Sequence, residues 1–65
     1  MKTEYKGYKS GDRIELIHMD DIQAVPAGTL GTIESIDDIG QLRMKWDNGR
    51  TLAVNLDVDS VRKIT

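Results

Sequence analysis

The stretch QLRMKWDNGRTLAVN, residues 41–55, decides the fold of this chain. Within it, residues 41–46 alternate between apolar and polar side chains, which is the pattern of a strand with one buried face. The run Asp47-Asn48-Gly49 that follows is a strong signal for a β-hairpin turn. Residues 50–55 resume the alternation, so the stretch predicts two antiparallel strands joined by a tight turn.

The length of this turn decides which side chains are buried. A two-residue loop would place Leu52 and Val54 on the polar face of the hairpin. The alternative is a three-residue loop with Gly49 in the left-handed conformation. It sets Val54 opposite Leu42 on the apolar face, and Leu52 then lies opposite Met44 on that same face. Because a slip of one residue exchanges the two faces of a strand, the three-residue loop is predicted.

The preceding turn supports the same apolar face. A four-residue loop over residues 37–40 places Ile33 opposite Met44 in the flanking strands. It also places Gly31 opposite Trp46, where the missing side chain of glycine leaves space for the indole. Two turns interpreted independently therefore predict one core.

Three more strands are predicted by the apolar pattern, over residues 12–19, 30–36 and 61–64. A long first loop, residues 20–28, separates the first two and closes in Pro26-Ala27-Gly28, which favours a turn. Residues 56–60 predict one tight helical turn. The whole pattern predicts an all-β fold, a small five-stranded SH3-like barrel with a short helical turn before the last strand.

The barrel domain is placed at residues 11–65. Residues 1–10 show no periodicity and are predicted to form a mobile N-terminal arm, although Tyr5 and Tyr8 could still fold back onto the domain. The predicted core consists of apolar residues assigned to the inner face of the strands: Ile14, Leu16, Leu30, Ile33, Leu42, Met44, Trp46, Leu52, Val54 and Val61.

Four segments of the chain closely resemble a known family. They are GDRIELIHMDD, PAGTLGTI, IDDIGQLRMKWDNGRTLA and LDVDSVRKI, and they span residues 11–64. The family is domain-of-unknown-function family 4314, whose small domains are bacterial and phage-related. The resemblance implies an SH3-like barrel and assigns no activity. Members often carry proline after the Met-Asp pair, where this chain has Asp21, so its first loop is expected to be looser.

Composition argues against an enzyme. The chain has no cysteine, and therefore no disulfide, no thiolate zinc site and no thiol nucleophile. Its single histidine, His18, is expected to cap one end of the barrel, and no Gly-x-Ser-x-Gly element accompanies it. The pairs Asp20-Asp21 and Asp37-Asp38 lack the spacing of a calcium loop and are interpreted as turn residues. We therefore expect no catalysis, no cofactor and no metal.

The expected location is the cytoplasm. No apolar run approaches the roughly 18 residues that cross a bilayer, and no signal peptide is visible. We expect a soluble protein without a membrane partner.

The favoured function is a non-catalytic binding or adaptor module for a protein or peptide. In small barrels of this type the groove between the long first loop and the neighbouring turns is a common binding site. Acidic residues there would suit a basic or proline-containing partner. Trp46 and Met19 could instead be core residues. The predicted binding residues are Met19, Asp20, Asp21, Pro26, Asp38, Ile39 and Trp46.

A weak nucleic-acid-binding function is the alternative. It would use an outward face made of Arg43, Lys45 and Arg50, with help from the basic residues of the arm, Lys2, Lys6 and Lys9. The net charge of −2 argues against it, because phosphate binding needs clustered positive charge. A role as an accessory subunit, with the chain a monomer or a weak dimer formed through an exposed edge strand, is also open.

Overall fold

The computed structural model describes residues 3–64 of the chain. Over these residues the structure is all-β, with seven strands in two sheets and no helix, which confirms the all-β part of the predicted fold. The strands are β1 (Glu4–Tyr5), β2 (Tyr8–Lys9), β3 (Arg13–His18), β4 (Leu30–Ile36), β5 (Gln41–Trp46), β6 (Val54–Asn55) and β7 (Ser60–Lys63). Without a helix, the described residues contain no helical segment long and apolar enough to cross a membrane.

The main sheet has five strands in the order β6-β5-β4-β3-β7, each antiparallel to its neighbours. The meander β3-β4-β5-β6 follows chain order, and β7 returns to pair with β3. Within residues 3–64 no pairing joins β6 to β7, so this sheet is open and is not closed into a barrel by hydrogen bonding.

The turn between β5 and β6 has the predicted three-residue loop. The Gly49 N–H donates to the Trp46 carbonyl at 2.9 Å, and the Trp46 N–H donates to the Arg50 carbonyl at 2.9 Å. Gly49 has a φ of 90°, the left-handed conformation that this turn requires. Val54 lies opposite Leu42, as the apolar pattern predicts.

The turn between β4 and β5 confirms two predicted pairs and corrects the predicted loop. Gly31 lies opposite Trp46, as expected from the sequence. The predicted pairing of Ile33 with Met44 is also present. The loop is shorter than the predicted four residues, because the Asp37 N–H already donates to the Gln41 carbonyl at 3.1 Å.

A β-bulge reconciles the short loop with the predicted pairs. The register shifts between Ile33 and Ser35, so that Glu34 is the extra residue of β4. In a regular strand Ile33 and Ile36 would point to opposite faces, since they are three positions apart. The bulge turns both side chains into the core, where neither is exposed to solvent.

Ten apolar residues form the core: Ile14, Leu16, Met19, Val25, Ile33, Ile36, Leu42, Met44, Trp46 and Val54. Seven of the ten predicted core residues are among them. The prediction that Leu30 is a core residue is wrong, because Leu30 shares the outer face of β4 with Thr32 and is 36% exposed. Leu52 and Val61 are half-buried and pack against the core rather than within it.

Residues 4–9 form a hairpin on the main sheet. Lys6 and Gly7 both have positive φ, 53° and 86°, which is the signature of a two-residue type I′ turn. Tyr5 and Tyr8, paired across this hairpin, pack against the core. Tyr5 and Tyr8 therefore fold back onto the domain, which is the alternative that the sequence left open for them. The mobility of the arm and the domain boundary at residue 11 stay predictions.

Residues 56–58 form a turn at the position of the predicted helical turn. The Asn55 carbonyl accepts hydrogen bonds from Val58 N–H at 3.1 Å and from Asp59 N–H at 2.7 Å. These two bonds form the turn between β6 and β7, and within residues 3–64 they do not extend into a helix.

Candidate functional site

The first loop crosses the segment that leads into β7 and forms a shallow cleft with it. This feature, which we call the first-loop cleft, has a volume of about 300 Å³. Three predicted binding residues, Met19, Asp20 and Asp21, lie on its first-loop side. The residues that line the cleft are Met19, Asp20, Asp21, Gln41, Leu52, Ala53, Asn55, Val58 and Asp59.

A buried carboxylate holds the two sides of the cleft together. One oxygen of Asp59 accepts the Asp20 N–H at 2.8 Å, and the other accepts the Asn55 N–H at 2.9 Å. Asp59 is only 9% exposed. Sequence analysis did not single out this residue, because its partner Asp20 is 39 positions away and no local pattern reports the contact.

Two core residues hold the first loop at its ends. Met19 and Val25 are both buried in the core, on either side of the exposed residues 20–23. Met19 therefore belongs to the core as well as to the wall of the cleft. Between these anchors, the Arg50 guanidinium donates to the Gln23 carbonyl. Pro26 follows Val25, is exposed and does not line the cleft.

The predicted binding residues of the second turn lie apart from the cleft. The Asp37 carboxylate accepts the N–H groups of Ile39 at 3.1 Å and of Gln41 at 2.9 Å, which orders the turn. Asp38 lines a separate depression with Ser35, Asp37 and Arg43. Of this region only Gln41, the residue after the turn, reaches the first-loop cleft.

Trp46 is a core residue and not a partly exposed binding residue. It is 2% exposed, and its indole N–H donates to the Leu52 carbonyl at 2.9 Å. The space for the ring comes from Gly31, which lies directly beneath it. Of the two interpretations of Trp46 that the sequence left open, the core interpretation agrees with this burial.

The cleft is acidic. Asp20, Asp21 and Asp59 are among the described residues that line it, and none of those residues is basic. Within residues 3–64 the Asp20 carboxylate accepts no hydrogen bond and forms no ion pair, whereas Asp21 orders the loop by accepting the Gln23 N–H at 2.7 Å. The cleft therefore favours cationic groups over anionic ones.

The three residues of the predicted nucleic-acid face do not form one cluster. Arg43 and Lys45 are exposed on the outer face of β5. Arg50 is turned towards the first loop by its bond to Gln23. On the same outer face, Arg13 forms a two-pronged ion pair with Asp47, with distances of 2.8 and 2.6 Å.

The Arg13–Asp47 pair is reflected in the ionisation of both groups. The hydrogen bond that Arg13 donates to Asp47 raises the pKa of Arg13 and lowers the pKa of Asp47. A cation that is already neutralised in this way adds little to phosphate attraction.

The basic residues of the predicted arm are also engaged. The Lys6 ammonium nitrogen lies 3.3 Å from a carboxylate oxygen of Asp57. The Lys9 ammonium nitrogen lies 2.9 Å from a carboxylate oxygen of Asp12, which is buried. Lys63 reaches the other oxygen of Asp12 at 3.2 Å. Lys2 lies outside the described residues.

Asp12 is the most perturbed carboxylate that the structure shows. The hydrogen bond from the Lys9 ammonium, together with the Lys9 N–H and Lys63, lowers the pKa of Asp12 to about 2. This carboxylate joins the N-terminal hairpin to β3 and β7, and it lies outside the first-loop cleft. We assign it a structural role.

His18, expected to cap one end of the fold, lies exposed at the end of β3. In the described part of the chain, no three His, Cys, Asp or Glu side chains are grouped as a set of metal ligands.

Comparison with known proteins identifies a family. The family model described as "Domain of unknown function (DUF4314)" matches residues 1–64, and so includes the N-terminal hairpin as well as the main sheet. No curated protein and no solved structure matches the chain.

Proposed function

The chain belongs to the family of domains of unknown function DUF4314, whose description assigns no activity, and we propose that this chain is a non-catalytic binding module. Its ligand is a protein or peptide, and its binding site is the first-loop cleft. The observation that carries this proposal is the construction of the cleft: a loop fixed by Asp59 faces a half-buried apolar segment, Leu52–Ala53, across an open space.

The topology of the main sheet supports the same function. A four-strand meander followed by a fifth strand that returns to pair with the first is the strand order of an SH3-like barrel. The turn at residues 56–58 lies where such a fold carries its short helical turn. We propose that the open sheet is a member of this class, in which the long first loop commonly borders a peptide groove.

A pair of matched variants tests the location of the site. Val58 lines the cleft and is 51% exposed, whereas Ile17 is 47% exposed on the outer face of β3 and does not line the cleft. Arginine at position 58 would extend into the cleft and offset part of its negative charge. Arginine at position 17 would change an equally exposed aliphatic side chain elsewhere.

The experiment selects peptides from a random displayed library on the wild-type protein and measures their dissociation constants. We expect Val58→Arg to weaken the selected peptides at least about tenfold, the size of effect typical of a central interface residue. Ile17→Arg should leave them unchanged. A library that yields no binder, or binders that lose affinity only with Ile17→Arg, would reject the first-loop cleft as the site.

The nucleic-acid alternative is separated by a ¹⁵N–¹H titration with mixed short DNA and RNA at low salt. Shifts at Arg43 and Lys45 that added salt reverses would replace the proposed function with nucleic-acid binding. An unchanged spectrum leaves protein recognition as the function.

A further inference from the structure

The chain segment that precedes β6 runs beside β5 without forming a strand. Residues 51–53 belong to no strand, and the ladder with β5 begins only at Val54. The Arg50 carbonyl accepts the Trp46 backbone N–H, and the Leu52 carbonyl accepts the Trp46 indole N–H, both at 2.9 Å. The carbonyls of Arg50 and Leu52 therefore face β5.

The residues that alternate with these two present their backbone groups to the other side. Because backbone groups alternate between the two sides of an extended chain, the N–H and C=O groups of Thr51 and Ala53 face away from β5. Within residues 3–64 no hydrogen bond engages any of these groups. Thr51 is exposed and Ala53 is half-buried, so this unpaired edge is accessible.

Two clefts meet at this edge. Ala53 lines the first-loop cleft, and it also lines a second cleft of about 380 Å³, which we call the Thr51 cleft. The residues that line the Thr51 cleft are Glu34, Arg43, Met44, Thr51 and Ala53. Since the first-loop cleft reaches Asn55 and the Thr51 cleft reaches Thr51, the two clefts together follow residues 51–55.

The opposite edge of the main sheet, β7, differs from this one. β7 carries Arg62 and Lys63, and charged side chains, lysine above all, discourage pairing at a sheet edge. Lys63 also donates to the Gly7 carbonyl of the N-terminal hairpin. Neither of the two clefts is lined by a residue of β7. Residues 51–53, Thr-Leu-Ala, have no charge and no proline, so they form the edge better suited to accept another strand.

We propose that residues 51–53 accept an extended segment of a partner protein as an added antiparallel strand, held by main-chain hydrogen bonds to Thr51 and Ala53. Addition of a strand to an unpaired sheet edge is a general mode of peptide recognition. The orientation follows the rest of the main sheet, in which every pairing is antiparallel. This inference rests on the proposed function and names how its ligand is held.

The charge of the first-loop cleft defines one end of the partner segment. An antiparallel segment begins beside Asn55 and ends beside Thr51, so its N-terminal part lies in the first-loop cleft. There it faces Asp20 and Asp21, and among the described residues no cation lines this cleft. The segment therefore carries Lys or Arg at its N-terminal end. A second copy of this chain would instead bring the same carboxylates to the edge, where like charges repel each other.

The first test measures amide hydrogen exchange with a short synthetic peptide in which two lysines precede alternating threonine and valine. At saturation, exchange at the Thr51 and Ala53 amides should slow about tenfold or more, because both N–H groups gain an acceptor. Exchange at Val61 and Lys63, on the β7 edge, should not change. The same peptide with its lysines at the C-terminal end should bind about fivefold more weakly or less. Unchanged exchange at Thr51 and Ala53 would overturn the inference.

The second test methylates the backbone nitrogens of the same peptide. Methyl groups on every second amide should weaken binding about tenfold or more in one register and change it little in the other, because only alternate N–H groups of an added strand face the edge. Equal affinities of the two methylated peptides would show that the ligand does not bind as a strand.

The matched protein variants are Ala53→Pro and Ala53→Val, which add similar bulk, although only proline removes the N–H group. Proline is compatible with an edge position whose N–H faces away from the sheet. Ala53→Pro should weaken the lysine-first peptide about fivefold or more, and Ala53→Val much less. Thr51→Pro and Thr51→Val repeat the comparison at the other residue. Equal weakening by proline and valine at both positions would contradict the main-chain bonds.

The results also separate this inference from the proposed function. If library peptides bind and are lost with Val58→Arg, but do not slow exchange at Thr51 and Ala53, the first-loop cleft is the site and only the inference fails. If Val58→Arg affects no library peptide and the lysine-first peptide slows no exchange, both fail. Exchange at Thr51 and Ala53 that slows with rising protein concentration, in the absence of peptide, would assign the edge to a second copy of this chain and overturn the inference.

Discussion

The backbone of Gly31 lies so close to the Trp46 indole that a Cβ atom at position 31 would come within 2.6 Å of Cε3. Real Cβ atoms do not approach a neighbour so closely, and the ring is 2% exposed and enclosed by the core. Glycine is therefore required at this position by the tryptophan opposite it.

Gly31→Ala should destabilise the protein by about 1–3 kcal/mol, the usual cost of overfilling a packed core. Chemical denaturation followed by circular dichroism measures this change. In the background of Trp46→Leu, whose side chain is smaller, the same substitution should cost much less. An equal cost in the two backgrounds would show that the two positions are not coupled.

Trp46→Ala should remove about 3–5 kcal/mol of stability, because it leaves a large cavity in a small core. It also leaves the Leu52 carbonyl without the indole N–H. A domain of this size is only marginally stable, so the variant should be largely unfolded at room temperature. A folded Trp46→Ala protein with wild-type dispersion of its amide signals would contradict the core role of the indole.

Gly40→Ala and Gly49→Ala form a matched pair. Both glycines end a three-residue loop with positive φ, 87° and 90°, so alanine is strained at either position by about 1 kcal/mol. They differ in their neighbours: a Cβ at Gly40 would lie 2.8 Å from the Tyr5 ring, and one at Gly49 has nothing within 4 Å. Gly40→Ala should therefore be the more destabilising change in thermal denaturation.

The Tyr5→Ala background supplies the control for this pair. Without the ring, the two glycine substitutions should cost nearly the same. If Gly40→Ala already equals Gly49→Ala in the wild-type background, the N-terminal hairpin does not pack on the turn between β4 and β5 in solution.

Asp12 should make the free energy of unfolding depend on pH. Its folded pKa is about 2 against an ordinary value of 3.8, so the folded protein binds this proton more weakly than the unfolded chain. The stabilisation from Asp12 is complete above the ordinary pKa and is lost as the pH falls from about 4 to about 2. Denaturation midpoints measured across this interval should fall more steeply for wild type than for Asp12→Asn.

Asp20→Asn is the control for the acid experiment, because this carboxylate is exposed and has no partner in the described chain. It should keep the wild-type dependence on pH. A slope for Asp12→Asn as steep as that of wild type would mean that the contacts of Asp12 with Lys9 and Lys63 do not stabilise the folded state.

The central hairpins could be predicted from the sequence because local turn chemistry and strand alternation agree there. Asp47-Asn48-Gly49 fixed one loop length, and the pairing of Gly31 with Trp46 followed from the apolar pattern. The burial of Ile36 could not be predicted, because it depends on a bulge at Glu34 that the alternation of a regular strand excludes.

Contacts between distant parts of the chain account for the other features that the sequence did not show. Met19 and Val25 join the core because the first loop folds back across the sheet, and residues 20–28 have no periodicity that would show this. The N-terminal hairpin has strands of only two residues and a lysine with positive φ, so its sequence resembles a tail. Of the predicted binding residues, only the consecutive residues 19–21, which one loop supplies, line the first-loop cleft.

The ammonium group of Lys63 donates to the carbonyl of Gly7 at 2.7 Å, and so joins residues that are 56 positions apart. The N-terminal hairpin and the strand β7 are therefore neighbours in the fold. A circular permutant that connects the two ends through a short flexible linker and opens at Asn48, an exposed position in a loop, should keep the same sheet. In a larger protein, a domain with neighbouring ends occupies little more of its host's backbone than a surface loop does.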